Sequence, residues 1–290
     1  METIHTADWM KQVARQARAE GRATGFVPTM GALHEGHLSL VRAARAECQL
    51  VVASIFVNPT QFGPSEDFQK YPRSLDEDRK NLEDAGVDYL FTPEAAEIYP
   101  PGFRTWVNVE GLSDRLEGRV RPGHFRGVAT VVLKLLELVQ PQKVFFGRKD
   151  AQQARIIRQM ARDLYLDSEI VVCPIVREPD GLAMSSRNAY LNPTERRAAT
   201  ILFRALDTAR GSILRGERDA LRIVSLMRDT LRTEPLAAQD YVELVDEDTL
   251  EPITRLRGKC LALLAARVGS THLIDNLLIE ERDGAFLVTL

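Results

Sequence analysis

Two histidines three residues apart, His34 and His37, close the stretch GFVPTMGALHEGH that fills residues 25–37. An imidazole exchanges its proton near neutral pH and donates hydrogen bonds from its ring, so a pair placed behind a glycine turn suits chemistry on phosphate. Residues 24–27 are apolar and β-prone, Pro28 and Gly31 interrupt them, and Leu38, Leu40, Val41 and Ala44 then recur with helical spacing. The histidines are therefore expected where a strand feeds a helix. Backbone N–H groups at a helix start lack intrahelical partners and carry partial positive charge. That makes the turn of Met30, Gly31, Ala32, Leu33, His34, Glu35, Gly36 and His37 a candidate cradle for a triphosphate. Two other readings stand beside this one. A zinc-protease helix needs HExxH, and HEGH is one residue short; His5, His124 and His272 supply no third ligand at a recognisable spacing, so no dedicated metal site is expected. Alternatively, the two imidazoles serve only as helix caps or packing groups.

PTMGALHEGH resembles the signature of the pantothenate synthetase (pantoate–β-alanine ligase) family within the wider HxGH nucleotidylyltransferase group. NPTQFG at 58–63, RPGHF at 121–125, GRKDAQQ at 147–153 and MSSRN at 184–188 match that family in the same order. These blocks run from about residue 25 to 190, and the last hundred residues add little. The resemblance implies an ATP-dependent ligase that adenylates the carboxylate of pantoate and then lets the amine of β-alanine displace AMP. It further implies Mg²⁺ accompanying ATP, and a homodimer. By the same resemblance His37, with His34, Lys149 and Arg187, is catalytic. ATP is met by the turn from Met30 to His37 and by Gly147, Arg148, Lys149, Asp150, Val176, Met184, Ser185, Ser186 and Arg187. Gln61 and Gln153 are expected to hold pantoate, Met30 and Phe62 to contact its methyl groups, and Tyr71 to wall the pocket. Three residues depart from the family's pattern: Arg126 where aspartate is common, Arg148 where glutamate is usual and Ala151 where an aromatic is usual. His124 receives no role.

The residue types fit such a reaction. A carboxylate is already ionised at neutral pH, so its attack on the α-phosphorus needs no base. It needs alignment and neutralisation of charge. Lys149 is a compact point charge behind Gly147, and Arg187 with Ser185 and Ser186 supplies a fork of donors beside two hydroxyls. Glutamine amides match hydroxyl and carboxylate groups. Taken alone, SSRN is equally a turn or helix start, and Lys149, Gln61 and Gln153 are equally solvated side chains. Nucleotidyl transfer without ligation, and a non-catalytic nucleotide sensor, remain the alternative functions.

These residues must be positioned by a scaffold. Apolar β-prone runs alternate with helical patterns through the first 175 residues: GFVPT, QLVVASIFV, VDYLFTP, KVFFG and EIVVCPIV, with helices over 76–84, 128–139 and 151–164 among them. Such alternation predicts an α/β fold, a Rossmann-like doubly wound parallel sheet with ligands at the carboxyl ends of its strands. PTMG, NPTQFG, GRKD and the loop from Arg177 to Arg187 each follow such a run. Beyond residue 176 two helical stretches, 193–215 and 217–231, precede β-like runs at 240–245, 260–268 and 272–279. The expected division is a nucleotide- and pantoate-binding domain over 1–175 and a smaller α+β lid over 176–290, joined at the turn Pro179-Asp180-Gly181. Asp76 and Glu77 read as acids in the first turn of a helix, favourable to its dipole.

Composition sets the outer bounds. With 290 residues, 44% hydrophobic and 27% charged, the chain can bury a sizeable core. A net charge of −3 with dispersed basic residues argues against nucleic acid or an anionic membrane as partner. Cys48, Cys173 and Cys260 are odd in number and widely spaced, which predicts buried thiols in a reducing compartment. The opening METIHTADWMKQVARQ has no apolar signal region, and the expected location is the cytoplasm.

Overall fold

Six short strands carry the first part of the chain: β1 (Glu2–Ile4), β2 (Thr24–Thr29), β3 (Leu50–Ile55), β4 (Tyr89–Phe91), β5 (Lys143–Gly147) and β6 (Glu169–Cys173). In the computed structural model, which describes residues 1–64 and 66–290, they form one sheet in the order β1-β4-β3-β2-β5-β6, with every neighbouring pair parallel. Helices α1 (Ala7–Ala19), α2 (Glu35–Glu47), α3 (Leu75–Asp84), α4 (Ala95–Ile98), α5 (Leu116–Val120), α6 (His124–Val139) and α7 (Ala151–Asp163) make the connections. Leu40, Val41 and Ala44 of α2 and Leu82 of α3 pack on Val27, Val51, Ala53 and Phe145 of the sheet. Alternation along each strand sends Phe26, Val52 and Val144 to the opposite face, where they too are buried. A strand buried on both sides has no polar face to show, which is why LVVASI reads as an apolar run broken only by the buried Ser54. The expected α/β class is the one found.

The second part has three helices, α8 (Pro193–Ala198), α9 (Ile201–Leu214) and α10 (Ala220–Arg232), followed by β7 (Ala237–Asp246), β8 (Lys259–Val268), β9 (Thr271–Arg282) and β10 (Ala285–Thr289). The four strands are antiparallel in the order β10-β9-β8-β7. Val242, Leu244, Ala262, Leu264, Leu273 and Leu277 line the face that packs on α9 and α10. The single helix expected over 193–215 is two. Asn192 caps the first through the N–H groups of Thr194 and Glu195, Pro193 opens it, and a turn at Ala199 and Thr200 separates it from α9. Strands β1 and β10 were not anticipated: three residues give no periodicity, and β10 has no buried residue.

By compactness the chain forms two units. The first comprises Met1–Asp114, Arg121–Arg148 and Gln153–Pro174; the second comprises Arg115–Val120, Lys149–Gln152 and Ile175–Leu290.

Candidate active site

In the first unit β2 ends at Thr29, and the chain turns through Gly31 and Ala32, both at positive φ (+81° and +51°), into α2. The backbone donors of this turn point inward. Gly31 N–H donates to Thr29 Oγ1 at 3.2 Å, and Ala32 and Leu33 N–H each donate at 2.8 Å to one carboxylate oxygen of Asp78, a residue 1% exposed in the first turn of α3. His34 is the N-cap of α2. Its Nδ1 accepts Gly36 N–H at 3.1 Å, while His37 Nδ1 accepts His34 N–H at 3.3 Å, and the ring centroids lie 4.1 Å apart. Because the donor in each bond is a backbone N–H, both Nδ1 atoms are acceptors, and a neutral ring must carry its proton on Nε2. Capping and chemistry are thus not rivals, since the caps fix tautomer and ring orientation together. Within the turn, the N–H groups of Gly31, Ala32, Leu33, His34 and Gly36 donate to Thr29, Asp78 and the imidazoles. Glu35 is exposed and pairs with Arg42 on the surface of α2.

Beside this turn the segment Pro59–Gln61 forms a single 3₁₀ turn capped by Asn58. Gln61 is 9% exposed; its Nε2 donates to Met30 Sδ at 2.9 Å and its Oε1 accepts from Asn58 Nδ2 at 3.1 Å. The main-chain oxygen of Gln61 faces His124 Nδ1 at 2.8 Å and accepts from Arg121 Nη2 at 3.3 Å, and Arg121 pairs with Glu66 at 2.6 Å. Burial would raise the Glu66 carboxyl, but hydrogen bonds and charge from Arg121, with His124 nearby, hold it below the ordinary range. Helix α6 approaches so closely that a Cβ on Gly127 would collide with the main-chain oxygen of Thr60. Phe62 meets Tyr71 edge-on at 5.9 Å between centroids, and Tyr71 is buried. Beyond the carboxyl ends of β2, β3 and β4 a cavity of about 330 Å³ opens, lined by Met30, Gly31, Val57, Arg73, Asp78 and Thr92. That volume lies within the range of small-molecule sites. Gly147 ends β5, Arg148 follows it, and Gln153 is half-buried in the first turn of α7.

The second unit holds Lys149, Asp150, Val176, Met184, Ser185, Ser186 and Arg187. The Lys149 oxygen accepts Asn276 Nδ2 at 3.0 Å. Val176 O accepts Met184 N–H at 3.0 Å, which closes the loop between them. Arg177 makes a bidentate pair with Asp275 at 2.7 and 3.0 Å and donates to Gly181 O at 3.0 Å. Ser185 Oγ accepts Arg187 N–H at 3.3 Å and caps the turn Ser186–Tyr190, so the local role that SSRN suggests on its own is present.

A family model described as pantoate-beta-alanine ligase matches residues 2–278. The chain belongs to the pantoate–β-alanine ligase family. It is 54% identical over 279 residues to the pantothenate synthetase of Thermotoga neapolitana, covering 96% of this chain and 100% of that one. It is also 57% identical over 265 residues to that of Acidobacterium capsulatum, covering 91% of this chain and 89% of that one. The crystal structure of the Thermus thermophilus pantothenate synthetase superposes with a TM-score of 0.91 at 47% identity, over 96% and 99% of the two chains. The ligase from Francisella tularensis, crystallised with beta-gamma ATP and beta-alanine, superposes at 0.78 with 35% identity, over 96% and 97%. The resemblance carried by the five motifs therefore holds across the family's length.

Several residues of this ligase-family site escape a sequence reading. Asp78 looks like one more acid in a helix start, and Asn58 like a turn former; only the fold shows that they bind the histidine turn and Gln61. His124 acquires a role as a partner of the Gln61 oxygen. Arg126, the charge reversal, stacks its guanidinium 4.6 Å over the Trp106 ring. Burial raises the thiols of Cys48, Cys173 and Cys260, and none of the three is in a disulfide.

Proposed function

We propose that this chain condenses pantoate with β-alanine at the expense of ATP, releasing pyrophosphate on forming pantoyl adenylate and AMP on its aminolysis. The observation that carries the reading is the histidine turn, whose Nδ1 atoms both accept backbone N–H and so leave Nε2 as the protonated ring atom. The pantoate carboxylate attacks the α-phosphorus without a base, and His37, with His34, donates from Nε2 to oxygens that gain negative charge. Lys149, Ser185, Ser186 and Arg187 neutralise the triphosphate, Asp150 and Gly147 meet the ribose, and Val176 meets adenine. Gln61 and Gln153 orient pantoate, with Met30 and Phe62 against its methyl groups and Tyr71 beside them. ATP enters as its Mg²⁺ complex, the ion carried by phosphate oxygens and water. Among the described residues no group of three or more His, Cys, Asp or Glu is arranged to hold a metal, and no step is assigned to the ion.

The working form is a homodimer in the cytoplasm, a setting consistent with three thiols outside any disulfide. No helix among the described residues is long and apolar enough to cross a membrane. Sedimentation of the purified protein tests the dimer. To test the reaction, protein, Mg-ATP and pantoate are incubated with and without β-alanine while pyrophosphate and AMP are followed separately. Pyrophosphate should appear without the amine, and AMP only with it. His37→Ala should slow pyrophosphate release by about 100-fold, the size of losing one electrostatic donor; an unchanged rate would remove His37 from the chemistry.

A further inference from the structure

One face of the β7–β10 sheet packs on α9 and α10, and the other mixes polar side chains with apolar ones such as Leu263 and Ala265. The registers Tyr241↔Ala265↔Ile274 and Glu243↔Leu263↔Asn276 place Tyr241, Glu243, His272 and Asn276 on this second face. It grips two short segments from earlier in the chain. Glu117, 5% exposed, accepts Tyr241 Oη at 3.3 Å and meets His272 Nε2 at 2.8 and 3.1 Å, while His272 Nδ1 meets Asp240 at 2.8 Å. Arg119 pairs with Glu243 at 2.6 Å. Gln152 ties the first segment to the second, its Oε1 accepting Glu117 N–H at 3.1 Å and its Nε2 donating to Arg115 O at 2.9 Å. At the other end of that second segment Asn276 donates to the Lys149 oxygen at 3.0 Å. The four residues Lys149–Gln152 are thus pinned at both ends.

Asn276 is 0% exposed in the middle of a strand whose other side holds Leu273, Leu277 and Ile279 together with Asp275, which Arg177 pairs. A buried amide costs free energy unless its bonds are made, so an apolar residue would be the default there. Its bond to the Lys149 backbone gives the amide a purpose. We propose that Asn276 is a positioning residue for the adenylation step: by fixing the Lys149 main chain it sets where the Lys149 ammonium stands relative to the triphosphate. The proposal rests on the assignment of Lys149 to ATP.

Asn276→Asp keeps the shape but turns the donor into an oxygen that repels the Lys149 carbonyl. Pyrophosphate release from ATP and pantoate should slow about 30-fold, within the loss that an ångström of misplacement causes. The KM for β-alanine should not change. The deciding measurement is the double variant with Lys149→Ala. If Asn276 acts through Lys149, the double variant is no slower than Lys149→Ala alone. Multiplied losses, or full activity in Asn276→Asp, overturn the proposal and leave the assignment of Lys149 standing. Full activity in Lys149→Ala removes that assignment, and the proposal with it. Should Asn276→Asp fail to fold, Asn276→Ser, a shorter donor, enters the same cycle and must show the same non-additivity.

Discussion

Asp78 shows how much of a site can depend on a residue that holds its backbone in place. Its two oxygens each accept one N–H of the histidine turn at 2.8 Å, in a place that is 1% exposed. Hydrogen bonds to a charged group contribute about 1.5–3 kcal/mol, and a donor left buried without a partner costs a similar amount. Asp78→Asn keeps one acceptor but turns an NH₂ group toward the second donor. That variant should lose roughly 2–3 kcal/mol in urea unfolding, and its pyrophosphate release should slow because the turn that orients His34 and His37 is loosened. Wild-type values for both would show that the turn holds itself. The histidines were legible in the sequence because their signal is local, a cap and a helix within four residues. Asp78 was not, because its partners lie 45 and 46 residues away and nothing in SLDED distinguishes a clamp from a first-turn acid.

At the scale of elements, β2, β3 and β5 of the parallel sheet were legible because burial on both faces leaves a mostly apolar run, whereas the three residues of β1 were too few. The tight seat of α6 on the turn Pro59–Gln61 was not, since it depends on a missing side chain. A methyl at Gly127 would overlap the Thr60 oxygen, so helix and turn must separate. Gly127→Ala should therefore cost about 1–3 kcal/mol, the usual range for overpacking. It should also raise the KM for pantoate, since Gln61 moves with the turn; an unaltered KM would detach Gln61 from pantoate. The same turn is tied down by Arg121, whose partner Glu66 has its carboxyl held low. With a lowered folded value, the stabilisation is fully present above the ordinary glutamate value of about 4.3. It is lost as pH falls through the lower folded value. Glu66→Gln should flatten that acid limb of the thermal midpoint, whereas an identical pH profile would mean that the pair adds nothing to stability.

At the scale of the whole molecule, the two units are built from interleaved pieces of chain. Residues 115–120 and 149–152 precede the last strand of the parallel sheet, yet they belong to the second unit. No composition shift or turn signal marks them, because what binds them is a set of side chains from β7 and β9 that become neighbours only when the antiparallel sheet forms. A fragment beginning at residue 176 would keep the apolar face of that sheet against α9 and α10 but lose Glu117, Arg119, Lys149 and Gln152. His272 and Tyr241 would then have no Glu117 carboxylate, and the amide of Asn276 no Lys149 oxygen. Water can solvate groups so exposed, so collapse is not required. The loss of Glu117 and its bonds should instead lower the protection of β7 and β9 amides against hydrogen exchange by at least about tenfold, equivalent to ~1.4 kcal/mol. The intact chain carrying Glu117→Gln should show a smaller loss confined to the same strands. Equal protection in fragment and full chain would mean that the second unit folds without the borrowed segments, and that their contacts serve only to place Lys149.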